Sequence, residues 1–403
     1  MNRIGRLGRS LALLFCIPGL ARAADKPIRC MDPAFIDTGA DPCRDFYQYA
    51  CGGWIRDNPV PLDQPFWGRW KEMDAVNQET LRRILEEAAY GSKKRDTASA
   101  RLGDFYASCM DARAVEARAA EPLWPEFERI DAMKAKEDLP AVLAHLHGIG
   151  VNALFSLSVV PDPRDDSRLS ARVSQAGMGM PEPEHYLVPE SSSMREAYAR
   201  YAARMSELSG ETPEQAEVQA GASLRIETGL ARVFAGRALS EDVGANSQKM
   251  LLQDLGSIVP SFAWRPYLAG AGAPALTELV VEPPAFFRGM DQLLSELPLD
   301  DWKAYLRWRL LDAYAFRLSS AFVREQFGFQ KALTGQKELQ PRWKRCLYVV
   351  EREMGGSLGQ EYVKAVFQDK DRETALRMAE RIRAVMATLI REAEWLGEDT
   401  RLE

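Results

Sequence analysis

Apolar residues along most of this chain recur every three or four positions, the spacing that gathers them on one face of an α-helix. Residues 71–89 carry Met73, Val76, Leu81, Ile84 and Leu85 on such a stripe. After a polar gap at 91–97, a second helix is predicted around Leu102, Phe105, Tyr106 and Cys109. Asp138 and Pro140 open a third, which closes near 148–150. Further helices are predicted over 193–208, 213–235, 242–252, 340–354 and 370–395. Asp300 caps a long helix whose stripe is Trp302, Tyr305, Leu306, Arg309, Leu310, Ala313 and Phe316. The period changes to two within 152–175, where 155–160 and 169–173 alternate around a Pro/Asp/Arg turn and predict a β-hairpin. Residues 269–274 are a Gly/Ala/Pro loop. Neither an internal repeat nor a low-complexity segment appears. The expected fold is mostly α, a multi-helix lobe with a small β-hairpin.

The segment 41–54, Asp-Pro-Cys-Arg-Asp-Phe-Tyr-Gln-Tyr-Ala-Cys-Gly-Gly-Trp, reads as one capped helix. Asp41 suits the N-cap, Pro42 the first helical position, and Gly52-Gly53 a left-handed stop. Cys43, Phe46, Tyr47, Ala50 and Cys51 then share a face. At about 1.5 Å of rise per residue the two cysteines stand roughly 12 Å apart. A disulfide needs Cα atoms within about 7 Å, so they cannot pair with each other.

Composition adds a compartment. Arg3, Arg6 and Arg9, a short apolar run from Leu11 to Leu20, and Ala21-Arg22-Ala23 form the pattern of a cleaved secretory signal. That run is too short to span a bilayer, and no other stretch is long and apolar enough. Export, periplasmic or secreted, is expected, with no membrane span after cleavage. Four of the 52 basic residues lie within 1–23, so 48 remain against 58 acids. An acidic chain without basic clusters is a poor nucleic-acid binder. The mature part keeps Cys30, Cys43, Cys51, Cys109 and Cys346, an odd number for an oxidising compartment.

Catalytic chemistry is hard to find. His145 and His147 lie two apart on a predicted helix and point in different directions, as partly exposed helix-end residues; His185 is a loop histidine. No H-E-x-x-H, G-x-S-x-G, P-loop or C-x-x-C occurs. Acidic pairs such as Glu86-Glu87 and Asp300-Asp301 read as solvated faces or caps, and Arg342 to Arg345 as decoration of a helix. Cys109 and Cys346, each among aromatic residues, form either a structural bridge or two buried free thiols.

Several blocks, taken in order, carry a resemblance. They are 41–54; Asp104-Phe-Tyr-Ala-Ser-Cys-Met-Asp111; the turn from Gly177-Met-Gly-Met-Pro181 to Tyr186-Leu187; Pro260 to Trp264; Pro341 to Cys346; and Leu358 to Val363. In these the chain resembles the neprilysin-type zinc metallopeptidases, including endothelin-converting enzymes, over the N-terminal half of that family only. The resemblance implies a helical lobe that roofs an enclosed active site and admits small peptides. The zinc helix, the downstream glutamate ligand and the substrate strand belong to the other half, so no catalytic, cofactor-binding or metal residue is assigned here. Zinc is implied for full-length members and for this chain none.

The resemblance further implies that Cys109 bridges Cys346, and that Cys43 and Cys51 pair with cysteines of the missing half; Cys30 receives no partner. Where neprilysin holds the substrate carboxylate with an arginine, this chain has Phe66, with Arg69 nearby, the two candidates for facing substrate. The expected organisation is a signal peptide at 1–23, a segment at 24–60 that docks on the catalytic lobe, and a helical domain at 61–403. The expected function is the substrate-gating domain of an exported zinc metalloendopeptidase, inactive alone and partnered by its zinc lobe. The alternatives are a standalone helical module that binds peptides or proteins through a large exposed apolar face, and one half of a split enzyme.

Overall fold

The computed structural model describes residues 32–92, 95–162, 165–234 and 247–402. The signal-peptide assignment and Cys30 lie outside the described residues. The chain divides into two compact units. The first gathers 32–61, 67–86 and 360–402; the second holds 62–66 and 87–359.

The second unit is built from α2 onward. Helix α2 (Arg69–Tyr90) enters it at residue 87, and α3 (Thr97–Met110), α4 (Ala112–Arg118), α5 (Trp124–Asp131) and α6 (Leu139–Gly148) follow. Strands β1 (Phe155–Asp162) and β2 (Asp165–Gln175) pair antiparallel with Phe155 opposite Gln175. This is the expected hairpin, and it is half of a larger sheet. After the single turn α7 (Glu184–Leu187) come α8 (Ser192–Leu208) and α9 (Pro213–Val233), then β3 (Gln248–Leu251), α10 (Leu252–Ile258), α11 (Trp264–Gly270) and β4 (Glu278–Glu282). Strand order is β1-β2-β4-β3, with β4 parallel to β2 and antiparallel to β3. Because side chains alternate across a sheet, Phe155, Val173, Leu279 and Val281 all reach the core from one face.

Helices α12 (Pro284–Glu296), α13 (Leu299–Tyr314) and α14 (Ser320–Thr334) complete the core. Trp302, Tyr305, Leu306 and Leu310 on α13 are buried, as their spacing predicts, and α13 packs on α9 and α8. Helix α9 starts on a reciprocal cap: Thr212 accepts from the Gln215 amide at 3.3 Å while Gln215 accepts from the Thr212 amide at 3.2 Å. Helix α15 (Arg342–Val366) departs from helical geometry at Met354, near the predicted end of that helix, and then continues. Cys109 on α3 and Cys346 on α15 are joined by a disulfide across Cα atoms 5.7 Å apart. The Arg342 guanidinium donates to the Cys109 carbonyl at 2.8 Å beside it.

The first unit holds a short turn (Pro33–Phe35), α1 (Phe46–Asp57), α2 up to residue 86, the end of α15, α16 (Asp369–Glu392) and α17 (Glu398–Leu402). Two readings of the sequence are corrected. Residues 248–251, expected to end a helix begun at 242, form β3, because pairing with β4 outweighs the helical period of so short an apolar run. Residues 242–246 lie outside the described residues. The opening helix begins four residues later than its sequence suggests and runs through its glycines, for reasons given next.

Candidate functional site

Two aspartates divide the work of starting α1. Asp41 accepts from the Cys43 amide at 2.9 Å, closing a turn, and Asp45 accepts from the Gln48 amide at 2.8 Å as the N-cap. The Gly52-Gly53 pair does not stop the helix. A Cβ on Gly53 would stand 2.3 Å from the Ala34 carbonyl oxygen, and one on Gly52 would strike the Gln48 side chain. These glycines let the 33–35 turn lie against the helix, a close approach that only glycine permits. Gln48 Nε2 donates to Asp37 at 2.9 Å. That bond, together with the Gly39 amide, holds the Asp37 carboxyl below its usual range.

Cys43, exposed, lies in the turn before α1 rather than on the helix with Cys51, which is half-buried on α1; both are free thiols. Cys51 borders a cavity of about 390 Å³ lined also by Tyr47, Trp54, Ile55, Val60 and Trp67. At its edge Arg69 pairs with Glu72 and lies 4.8 Å over the Phe35 ring, while Trp54 Nε1 donates to Glu72 at 3.3 Å. Phe66 belongs to the second unit and is 60% exposed.

Large apolar side chains of the first unit are scarcely buried. Among its described residues only Trp54 and Leu85 are. Helix α16 buries none of its residues, and Leu376, Met378, Ile382, Val385, Met386, Leu389 and Ile390 stand exposed along it. Their three- and four-residue spacing gives one continuous apolar stripe. Sequence periodicity places this helix; it does not say that nothing in the described chain covers it.

The second unit contains the opposite kind of feature, a buried polar knot. Glu227 on α9 is wholly buried and accepts from Tyr186 Oη at 2.5 Å, Tyr198 Oη at 2.8 Å, the Gly179 amide at 3.1 Å and Trp308 Nε1 at 3.1 Å. Arg309 lies 3.8 Å away and also pairs with Asp312 at 3.2 Å. Burial pushes the Glu227 carboxyl up, against the pull of Arg309 and the two tyrosines. Tyr186 Oη accepts the amides of Gly179 and Met180 at 3.0 and 2.7 Å, and Tyr305 Oη donates to the Gly177 carbonyl at 2.7 Å. A Cβ on Gly179 would sit 1.8 Å from Tyr198 Oη. The knot therefore staples the 177–181 turn to α8, α9 and α13. It presents no nucleophile and no open position for a substrate.

The histidines do not converge. His145 Nε2 lies 2.7 Å from Glu126. His147 sits at the helix end as expected, partly exposed, and is held between Tyr267 Oη at 2.7 Å and the Ala153 carbonyl at 3.0 Å. The carbonyl requires Nε2 to carry the proton, leaving Nδ1 to accept from Tyr267. Burial drives its pKa down to about 4. Among the described residues no three His, Cys, Asp or Glu side chains gather as a metal site, so their donor set does not fit a zinc ion. No described helix is long and apolar enough to cross a membrane.

Endothelin-converting enzyme 1 of Rattus norvegicus is 27% identical over 382 residues, covering 91% of this chain and 49% of that protein. Endothelin-converting enzyme-like 1 of Mus musculus is 28% identical over 386 residues, again with 49% of its length covered. The chain thus spans about half the length of the curated relatives it matches. The zinc metalloprotease Zmp1 of Mycobacterium tuberculosis, solved with an inhibitor, superposes with a TM-score of 0.84 at 29% identity, covering 92% of this chain and 57% of that one. PepO of a Lactobacillus shares the fold at a TM-score of 0.73 and 17% identity. The family model described as "Peptidase family M13", in its N-terminal part, matches residues 42–403, and the chain belongs to that family.

Proposed function

We propose that this chain is the N-terminal, substrate-gating domain of an exported M13 zinc metalloendopeptidase, and that it hydrolyses no peptide without the zinc lobe. The observation that carries this reading is the contrast between the units. The second closes a large core around Phe155, Tyr267, Trp302 and Tyr305, and the first buries only Trp54 and Leu85 among its large apolar residues. A chain that makes one complete core and part of another is the expected product of a fold shared with further polypeptide.

In this reading residues 1–23 are a signal peptide, 24–60 dock on the zinc lobe, and 61–403 form the helical gating domain. Cys43 and Cys51 await partner cysteines in the zinc lobe, and the Cys109–Cys346 bridge fits an oxidising compartment. Phe66 and Arg69 are the residues assigned to face substrate. Because Arg69 is engaged by Glu72 and stands over Phe35, we do not expect it to take over carboxylate binding.

The test is reconstitution. The purified chain should show no chelator-sensitive peptidase activity, and co-production with the zinc-bearing half of an M13 peptidase should restore such activity. Chelator-sensitive hydrolysis by the chain alone overturns the reading.

A further inference from the structure

We propose that Arg342 and Arg345, at the start of α15, form a binding site for a divalent tetrahedral oxyanion, phosphate or sulfate, beside the Cys109–Cys346 bridge. Every residue concerned belongs to the second unit.

The two arginines are half-buried and three apart on one helix, a spacing that sets both on the same side. Each commits its Nε to a backbone carbonyl: Arg342 donates to Cys109 at 2.8 Å and Arg345 to Gln340 at 3.2 Å. Those bonds use one nitrogen apiece. Both Nη groups of each guanidinium are without a partner among the described residues. Lys344, between them in sequence, differs, because Asp63 holds its Nζ at 2.7 Å. The other acids of the adjoining segments do not help: Asp111 caps the Ala114 amide at 3.0 Å, Glu116 accepts from Ser320, and Glu338 is exposed and pairs with neither arginine. Two positive charges stand together with no counter-charge.

Elsewhere in this unit an enclosed guanidinium has its carboxylate. Arg309 pairs with Asp312, Arg307 with Glu211, Arg172 with Glu282 and Arg317 with Glu353. Enclosing a charge is costly unless it is paired. At Arg345 that cost shows: burial, reinforced by the Arg342 charge, pulls its pKa below the ordinary arginine value. The first turn of α15 carries no acid, at the helix end where the dipole favours one. The segment that supplies Asp63 also carries Gln64, which is 9% exposed and makes no side-chain hydrogen bond among the described residues. An anion at the two forks would relieve the repulsion and the dipole together.

Charge selects the ligand. A carboxylate neutralises one guanidinium, whereas a dianion matches both, and its tetrahedral oxygens can accept from the two forks at once. Thermal unfolding of the full chain at neutral pH, disulfide intact, in sodium phosphate or sulfate against sodium chloride or acetate at equal ionic strength, tests this. We expect the midpoint to rise and saturate with phosphate and with sulfate, and chloride or acetate to need at least about tenfold more for the same rise. Arg342→Gln and Arg345→Gln should each weaken phosphate by about tenfold or more, and Arg324→Gln, on the exposed side of α14, should leave its effect unchanged. Phenylglyoxal labelling of the unaltered chain, mapped by mass spectrometry, gives a readout free of misfolded variants. Phosphate should suppress labelling at Arg342 and Arg345 and not at Arg324.

Phosphoethanolamine in place of phosphate distinguishes the sources of the anion. Protection of both arginines by it extends the site to phosphate esters, and protection by the inorganic ions alone restricts it to free oxyanions; the proposal holds in either case. A midpoint that follows ionic strength alone overturns it. So does a phosphate response that survives in the double variant Arg342→Gln, Arg345→Gln, or labelling of the two arginines that phosphate leaves unchanged.

Discussion

Replacing Glu227 with alanine should cost the second unit about 3 kcal/mol. The figure follows from counting protons. Tyr186 Oη already accepts two amides, from Gly179 and Met180, so its own proton has Glu227 as its acceptor. Tyr198 Oη accepts from Trp308 Nε1 at 2.8 Å and donates to the same carboxylate. Alanine at 227 thus orphans two buried hydroxyl protons, while the Gly179 amide and the indole each keep a second acceptor. Two unsatisfied buried donors cost about 1–3 kcal/mol apiece. Relief of a buried carboxylate returns part of that, and Arg309 retains Asp312. Urea unfolding followed by far-UV circular dichroism and tryptophan emission should show the loss as a lower midpoint at unchanged slope. Tyr186→Phe should cost less, and the double variant should fall short of the sum of the singles, since both act on one network. A Glu227→Ala midpoint within about 1 kcal/mol of the parent, or strict additivity with Tyr186→Phe, would refute the proton count.

Three further outcomes follow from the second unit. His147 is held neutral with its pKa pushed down to about 4, so its contribution is whole above the ordinary histidine value of 6.5 and drains away as pH falls between the two. The difference caps the effect at about 3 kcal/mol, and His147→Gln should flatten that part of the stability–pH profile; identical slopes for parent and variant contradict it. Reducing the Cys109–Cys346 bridge, which spans 237 residues of sequence, should lower urea stability by an amount approaching about 5 kcal/mol of chain entropy. A reductant titration that leaves the midpoint unmoved rules this out. Gly179→Ala, whose Cβ would stand 1.8 Å from Tyr198 Oη, should cost about 1–3 kcal/mol by overpacking and perturb the Tyr198–Glu227 contact. A crystal structure of the variant with that contact unaltered speaks against it.

Much of the helical layout is legible in the sequence because periodicity and caps act locally. The α13 stripe, the helix that begins at Pro213 and the 155–175 hairpin all follow from neighbours within a few residues. Failures occur where distant partners decide. Residues 248–251 become a strand only because β4 lies beside them, and β4 itself carries too short an alternation to stand out. Gly52 and Gly53 read locally as a stop; the Ala34 carbonyl pressed against Gly53 shows that they serve an approach instead. Asp41 and Asp45 are equally good caps on chemical grounds, and the backbone chooses the later one.

The candidate site shows a deeper limit of the same kind. Trp302, Tyr305 and Leu306 on α13 and Ile382, Met386 and Leu389 on α16 obey one spacing rule, yet the first set is buried and the second is exposed. An apolar face on a helix states that a cover is needed, and its sequence carries no information about which polypeptide supplies the cover. Glu227 illustrates the converse. It is one of 58 acidic residues, and nothing near it in sequence marks it as the acceptor for donors from the 177–181 turn, α7, α8 and α13. What identifies both features is a count of partners: full at the Glu227 carboxylate, where donors outnumber its oxygens, and nearly empty along the apolar face of α16. That asymmetry distinguishes α16 from α13: the same apolar spacing that fills the core of the second unit is, on α16, a face no described residue covers.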